Sequence, residues 1–245
     1  MKIKQLGILS VGVALATLGT GAAQAALVVV PPGLNPGDQY RLVFVTDGTR
    51  NATSTNINDY NNFVTSQVTG SALATQLTTA GFNLGTITWK AIGSTSATSA
   101  KVNTGTDGSQ PDVPIYLIDG NKVANNNADL WDGSIAKSID RTQIDTSKNA
   151  SVWTGTQAGG STGSPLGNAI GFPPTANMGA TNQTNSDWIN AVNFVGVGQS
   201  AYLYGMSSVL TVPSAAVSVP EPSSLLGFIT LGGLMLGGAV RKARK

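Results

Sequence analysis

Between Asp119 and Asp132 the chain concentrates oxygen donors: Asp119, Asn125, Asn126, Asn127, Asp129 and Asp132. Closely spaced carboxylates and amide carbonyls on loops are the donor set that Ca²⁺ takes, about six to eight oxygens at once. Trp131 stands among them, and an indole face is a surface on which a sugar ring can stack. Asp119, Asn126, Asp129, Trp131 and Asp132 are therefore the candidate ligand- or calcium-binding residues, and no other metal or cofactor is expected. The same residues also read as turn formers, with Asp-Gly at 119–120 and at 132–133 and a run of asparagines between them. No EF-hand spacing is present, so both readings stand. Trp89, Trp153 and Trp188 are further candidates for stacking, each competing with an ordinary place in the core.

Other chemistry is bounded by what the chain lacks. It has no cysteine and no histidine, which removes disulfides, the usual zinc sites, haem and iron–sulfur ligation, and Ser-His-Asp or Cys-His catalysis. A glycosidase could still use two carboxylates. However, eleven aspartates scattered along the middle of the chain supply pairs by accident, and none is marked out by its neighbours. No catalytic residue is assigned, and the chain is expected not to be an enzyme.

The elements that would position these residues are mostly short. Alternation and β-branched content predict strands at 40–45, 87–92, 113–118, 151–154, 201–204 and 208–212. Ile57, Tyr60, Val64 and Val68 recur at helical spacing, with Phe63 widening the same face and Thr55 or Asn56 as the cap. Leu73 and Leu77 continue into a second helical piece. From about Gly155 to Trp188 the chain is rich in Gly, Ser, Thr, Asn and Pro and reads as a long surface loop.

The two ends differ from this middle. Residues 1–25 have the three parts of a secretory signal: Lys2 and Lys4, an apolar stretch from Leu6 to Leu18, and the small residues Ala23 and Ala25 of an A-x-A cleavage site. At the other end Val219-Pro220-Glu221-Pro222 precedes an uncharged run over 223–240, closed by the basic tail 241–245 with Arg241, Lys242, Arg244 and Lys245. As a helix that run would measure roughly 27 Å at about 1.5 Å per residue, just enough for a bilayer core of about 30 Å if the flanking cations snorkel. The cationic tail would stay cytoplasmic and leave the middle outside. Six of the 14 basic residues lie in these ends, so the middle carries eight cations against eleven aspartates, a net charge of −3. That balance offers no electrostatic basis for binding nucleic acid.

The order of Val219–Pro222, a Gly- and Leu-rich apolar run and an Arg/Lys-rich end resembles the PEP-CTERM sorting signal of Gram-negative bacteria. Glu221, the only glutamate in the chain, falls inside the motif. The resemblance implies export with signal peptidase as the first partner. An inner-membrane-anchored intermediate would follow, then processing by an exosortase near Pro220–Pro222 and transfer to the cell surface or extracellular matrix. A second resemblance runs through Trp89-Lys90-Ala91, Pro114 to Asn126, Ala128 to Gly133 and Val152 to Thr156. Their order is similar to a group of bacterial extracellular domains with an endostatin-like, C-type-lectin-like fold, although the cysteines common in that group have no counterpart here. It implies an α+β fold for 26–218: a small, twisted, mostly antiparallel sheet with one or two helices and long loops, between an N-terminal signal helix and a C-terminal transmembrane helix. The expected function is that of a non-catalytic surface or matrix protein contacting extracellular polysaccharide or surface partners. The alternatives are a passive coat protein without a defined ligand and, last, an Asp-dependent glycan-acting enzyme.

Overall fold

The computed structural model describes residues 27–168 and 174–214. The signal segment 1–25, the sorting motif 219–222, the apolar run 223–240 and the basic tail lie outside these residues. Among the described residues no helix is long and apolar enough to cross a membrane.

The most apolar strand of the sequence becomes the centre of the sheet. β1 (Gln39–Val45) is buried along all but its first residue. It pairs in parallel with β3 (Ile115–Leu117) and antiparallel with β8 (Tyr202–Ser207) and β9 (Leu210–Thr211). β8 in turn pairs with β2 (Trp89–Ala91) and, in parallel, with β5 (Ser151–Trp153). β4 (Lys122–Ala124) closes one end on β3, and β6 (Thr175–Ala180) and β7 (Val192–Gly196) close the other. The result is a mixed α/β architecture: one nine-stranded, mostly antiparallel sheet with few helices. The sheet is larger than the sequence suggested: β9 falls within the strand expected at 208–212, but β4, at three residues, is too short to show alternation, and β6 and β7 were not expected.

Period-two alternation divides β1 between two cores. Tyr40, Leu42 and Phe44 face α1 (Ile57–Val68) and α2 (Ala72–Thr79), which contribute Tyr60, Val64, Val68, Leu73 and Leu77 to one apolar layer. Val43 and Val45 face the opposite layer with Trp131, Trp188, Tyr204 and Met206. Burying side chains of this size contributes on the order of 1.5–3 kcal/mol each. α1 starts where the cap is expected, with Asn56 Oδ1 accepting from the Asn58 amide. Its buried Asn61 accepts from the Ala91 amide at 2.9 Å, while Asn103 Nδ2 donates to Ala91 O at 2.7 Å. The two amides, also bonded to each other, complete the outer edge of β2. Three further helices, α3 (Ala100–Thr104), α4 (Asn127–Leu130) and α5 (Asp187–Asn190), are one turn each.

Arg41 takes the position between Leu42 and Tyr40 that alternation assigns to the second core, and it is 2% exposed. Its guanidinium donates to Thr104 O at 2.8 Å and Ser207 O at 3.1 Å, with Gly105 O at 3.4 Å. The first and last of these carbonyls close the C-terminus of α3, where a cation meets the negative end of the helix dipole. Burial pushes the guanidinium pKa down from its ordinary value.

Three core tyrosines give the fold a pH limit. Tyr40 donates to Val29 O and Tyr60 to Ser54 O at 2.7 Å. Desolvation raises the phenols of Tyr40 and Tyr204 well above their ordinary value and pushes Tyr60 up to about 12. In the unfolded chain these phenols ionise near pH 10, whereas in the fold they keep their protons. The stability they support is therefore complete well below pH 10, begins to fall as pH 10 is approached, and declines above it by about 1.4 kcal/mol per tyrosine for each pH unit up to the folded pKa. Denaturant titrations at pH 7, 9 and 11 should show a flat midpoint between the first two and a clear fall at the third.

Candidate functional site

The acidic segment folds into a succession of local turns. Asp119 accepts from the Asn121 amide at 3.0 Å and from Asn121 Nδ2 at 2.9 Å. Asn126 caps α4 by accepting from the Asp129 amide at 2.9 Å, and Asp129 Oδ2 reaches back to the Asn125 amide at 2.6 Å. This reciprocal arrangement satisfies donors at the helix start much as a capping box does. Asp132 Oδ1 accepts from the Ser134 amide at 3.0 Å and from Ser134 Oγ at 3.2 Å. Each carboxylate closes its own turn. Among the described residues no three potential metal ligands of the His, Cys, Asp or Glu type come together. Asn127 Oδ1 is buried without a partner among the described residues.

Trp131 lies inside the molecule rather than at this surface. It is 6% exposed, its indole N–H donates to Thr106 Oγ1 at 2.9 Å, and its ring packs 5.8 Å from that of Trp188. Trp89, Trp153 and Trp188 are likewise buried. The expected sugar platform therefore belongs to the core, where the apolar area of each indole stabilises the two layers.

A different place carries the convergent polar groups. A cleft of about 940 Å³ opens where the segment after β5 meets β6, α5 and β7. Its lining includes the amides of Gln157, Asn168, Asn177, Asn190 and Asn193 together with hydroxyls and glycine backbone, and among the described residues no charged side chain. Local hydrogen bonding builds it. Gly155, at φ +60°, turns the chain out of β5, and the Gly163 amide returns to Gly155 O at 2.9 Å. Leu166 then donates to Ser94 O at 2.8 Å, and Asn177 to Ser164 O at 2.9 Å. Asn177 is 4% exposed, and its Nδ2 donates to Asn190 Oδ1 at 3.1 Å and Thr156 O at 3.4 Å. A methyl group on Gly163 would lie 2.4 Å from that Nδ2, so glycine is what lets the buried amide reach the cleft wall.

The described parts of 155–188, residues 155–168 and 174–188, are thus not the surface loop that the composition suggested. They contain β6 and bury Thr156, Leu166, Ala176 and Met178. The available signal was the isolated apolar residues Leu166, Met178 and Trp188, which anchor an otherwise polar stretch. Residues 159–163, Gly-Gly-Ser-Thr-Gly, also have the Gly-x-Ser-x-Gly spacing of a hydrolase nucleophile elbow. Here they form a tight turn bridged at Thr156 and Thr162 rather than a strand-to-helix elbow, and the chain has no histidine to activate Ser161. Compared with known proteins, the chain matches no family model and no curated protein.

Proposed function

We propose that this chain is an exported cell-surface or extracellular-matrix protein. In this reading signal peptidase removes residues 1–25, and an exosortase processes the chain at the Val219–Pro222 motif. The middle acts as a non-catalytic, C-type-lectin- or endostatin-like domain that contacts polysaccharide or surface partners. The observation that supports it most directly is the C-terminal order of a Pro-Glu-Pro motif, an uncharged run of bilayer length and a cationic end. Two closely spaced prolines keep the backbone extended ahead of the run, which suits presentation to a membrane-embedded protease. The uncharged, amide-lined cleft is consistent with a binding rather than a catalytic role for the middle.

Mass spectrometry of the protein recovered from the cell exterior tests the sorting. The expected mature chain begins at Ala26 and yields no peptide beyond about Pro222. Replacing Glu221 by alanine should leave the chain uncut and in the inner membrane. Recovery of an exterior chain that still ends at Lys245 would overturn the proposal.

A further inference from the structure

We infer that the cleft beside β6 is a calcium-independent binding site for an uncharged polysaccharide segment. The inference rests on the reading of the middle domain as a polysaccharide-contacting module and goes further by naming the site and the class of ligand. A carboxamide presents an N–H donor edge and a carbonyl acceptor edge side by side, which is the complement of a sugar hydroxyl that both gives and accepts a hydrogen bond. Five such amides face one cleft.

The amides are not all committed to holding the fold. The side chains of Gln157 and Asn193 are exposed and make no hydrogen bond to the described residues. Asn190 has its carbonyl held by buried Asn177, and its NH₂ finds no acceptor among them. One buried amide thus orients a second whose donor edge remains available, a preorganisation that lowers the entropy lost on binding. The cleft is open to solvent, so a chain can lie across it without presenting a free end.

Charge decides the class of ligand. An anionic group in this cleft would lose hydration without a cation to receive it, since among the described residues no lysine or arginine lines the wall. A calcium-bridged sugar would need carboxylates, and none of the described lining residues is one. Neutral hydroxyls meet no such penalty.

The test is isothermal titration of the full chain, purified in detergent, against two sets of oligosaccharides. The first is uncharged: α- and β-linked glucans, a galactan and a xylan. The second is acidic: oligoalginate and oligogalacturonate. The expected result is binding of at least one uncharged chain, unaltered by chelator or by added salt. The double variant Gln157→Ala/Asn193→Ala, whose melting temperature should match the wild type, should weaken that binding at least tenfold. Gly163→Val, which displaces Asn177 without removing a donor, should weaken it similarly. Binding of acidic chains alone, or binding that requires calcium, would overturn this inference and leave the polysaccharide reading intact. Neutral binding that survives the double variant would place the site elsewhere and also overturn the inference. Binding of neither set would overturn the inference and the reading beneath it.

Discussion

Replacing Gly155 with alanine is expected to lower the stability of the fold by about 4 kcal/mol, one of the largest effects of any single methyl group in this chain. Three contributions act in the same direction. The residue sits at φ +60°, where a side chain costs roughly 1–2 kcal/mol. The new methyl carbon would stand 2.4 Å from Ser94 O and 2.6 Å from Leu166 N. Those two atoms are donor and acceptor of one 2.8 Å hydrogen bond, so the methyl group must force the pair apart. A buried backbone bond left unmade costs about 1–3 kcal/mol, and overpacking adds about as much again. Gly33 provides the control. Its φ is +87°, and nothing lies within 4 Å of the added carbon, so Gly33→Ala should lose only about 1 kcal/mol. Denaturant unfolding of both variants measures the difference, and equal losses would mean that steric contact at Gly155 is not decisive.

The second large effect concerns Trp188, which is fully buried between the rings of Trp131 at 5.8 Å and Tyr204 at 5.9 Å. Trp188→Ala should cost about 3–5 kcal/mol, the range for removing a large aromatic from a packed core. Trp188→Phe should cost much less, because the indole N–H has no hydrogen-bond partner among the described residues, and deleting a buried unsatisfied donor returns part of the lost packing energy. The same change at Trp131 has the opposite consequence, since its N–H donates to Thr106 Oγ1. Trp131→Phe should therefore be the more damaging of the two phenylalanine variants. If the order were reversed in denaturant unfolding, a buried water bridging Trp188 Nε1 would be the physical explanation to pursue.

How much of this was legible in the sequence depended on whether a residue's role is set by its neighbours in the chain or by distant ones. β1 was readable because its apolar run leaves no other option. α1 was readable because Ile57, Tyr60, Val64 and Val68 fall on one face behind a capping asparagine. The caps and turns of 119–132 were readable as chemistry of closely spaced Asp and Asn. β6 was not, because the alternating positions of Thr-Ala-Asn-Met-Gly-Ala are mostly small or weakly apolar, with Thr175 the one β-branched residue, and the segment becomes a strand only through pairing with β5 and β7. Trp131 looked exposed among aspartates, and only the packing of a tryptophan 57 positions further along the chain turns it inward. The cleft was hidden for a similar reason. Asparagine, glycine and serine compose a solvated loop and a polar binding wall equally well, and the difference lies in which amides the fold brings opposite one another.

The pairing at the end of the described chain has a mechanical consequence. β9 is only two residues long, yet it joins the first residues of the central strand: Gln39 opposite Thr211 and Tyr40 opposite Leu210. Two further bonds, Gly37 N to Val212 O at 3.0 Å and Val212 N to Asp38 O at 2.9 Å, extend the seam. Bonds between antiparallel strands stand across the strand direction. Traction applied at Ser214 along that direction is therefore shared in shear by the whole seam instead of opening one bond at a time, and it is delivered to the middle of the sheet rather than to its rim.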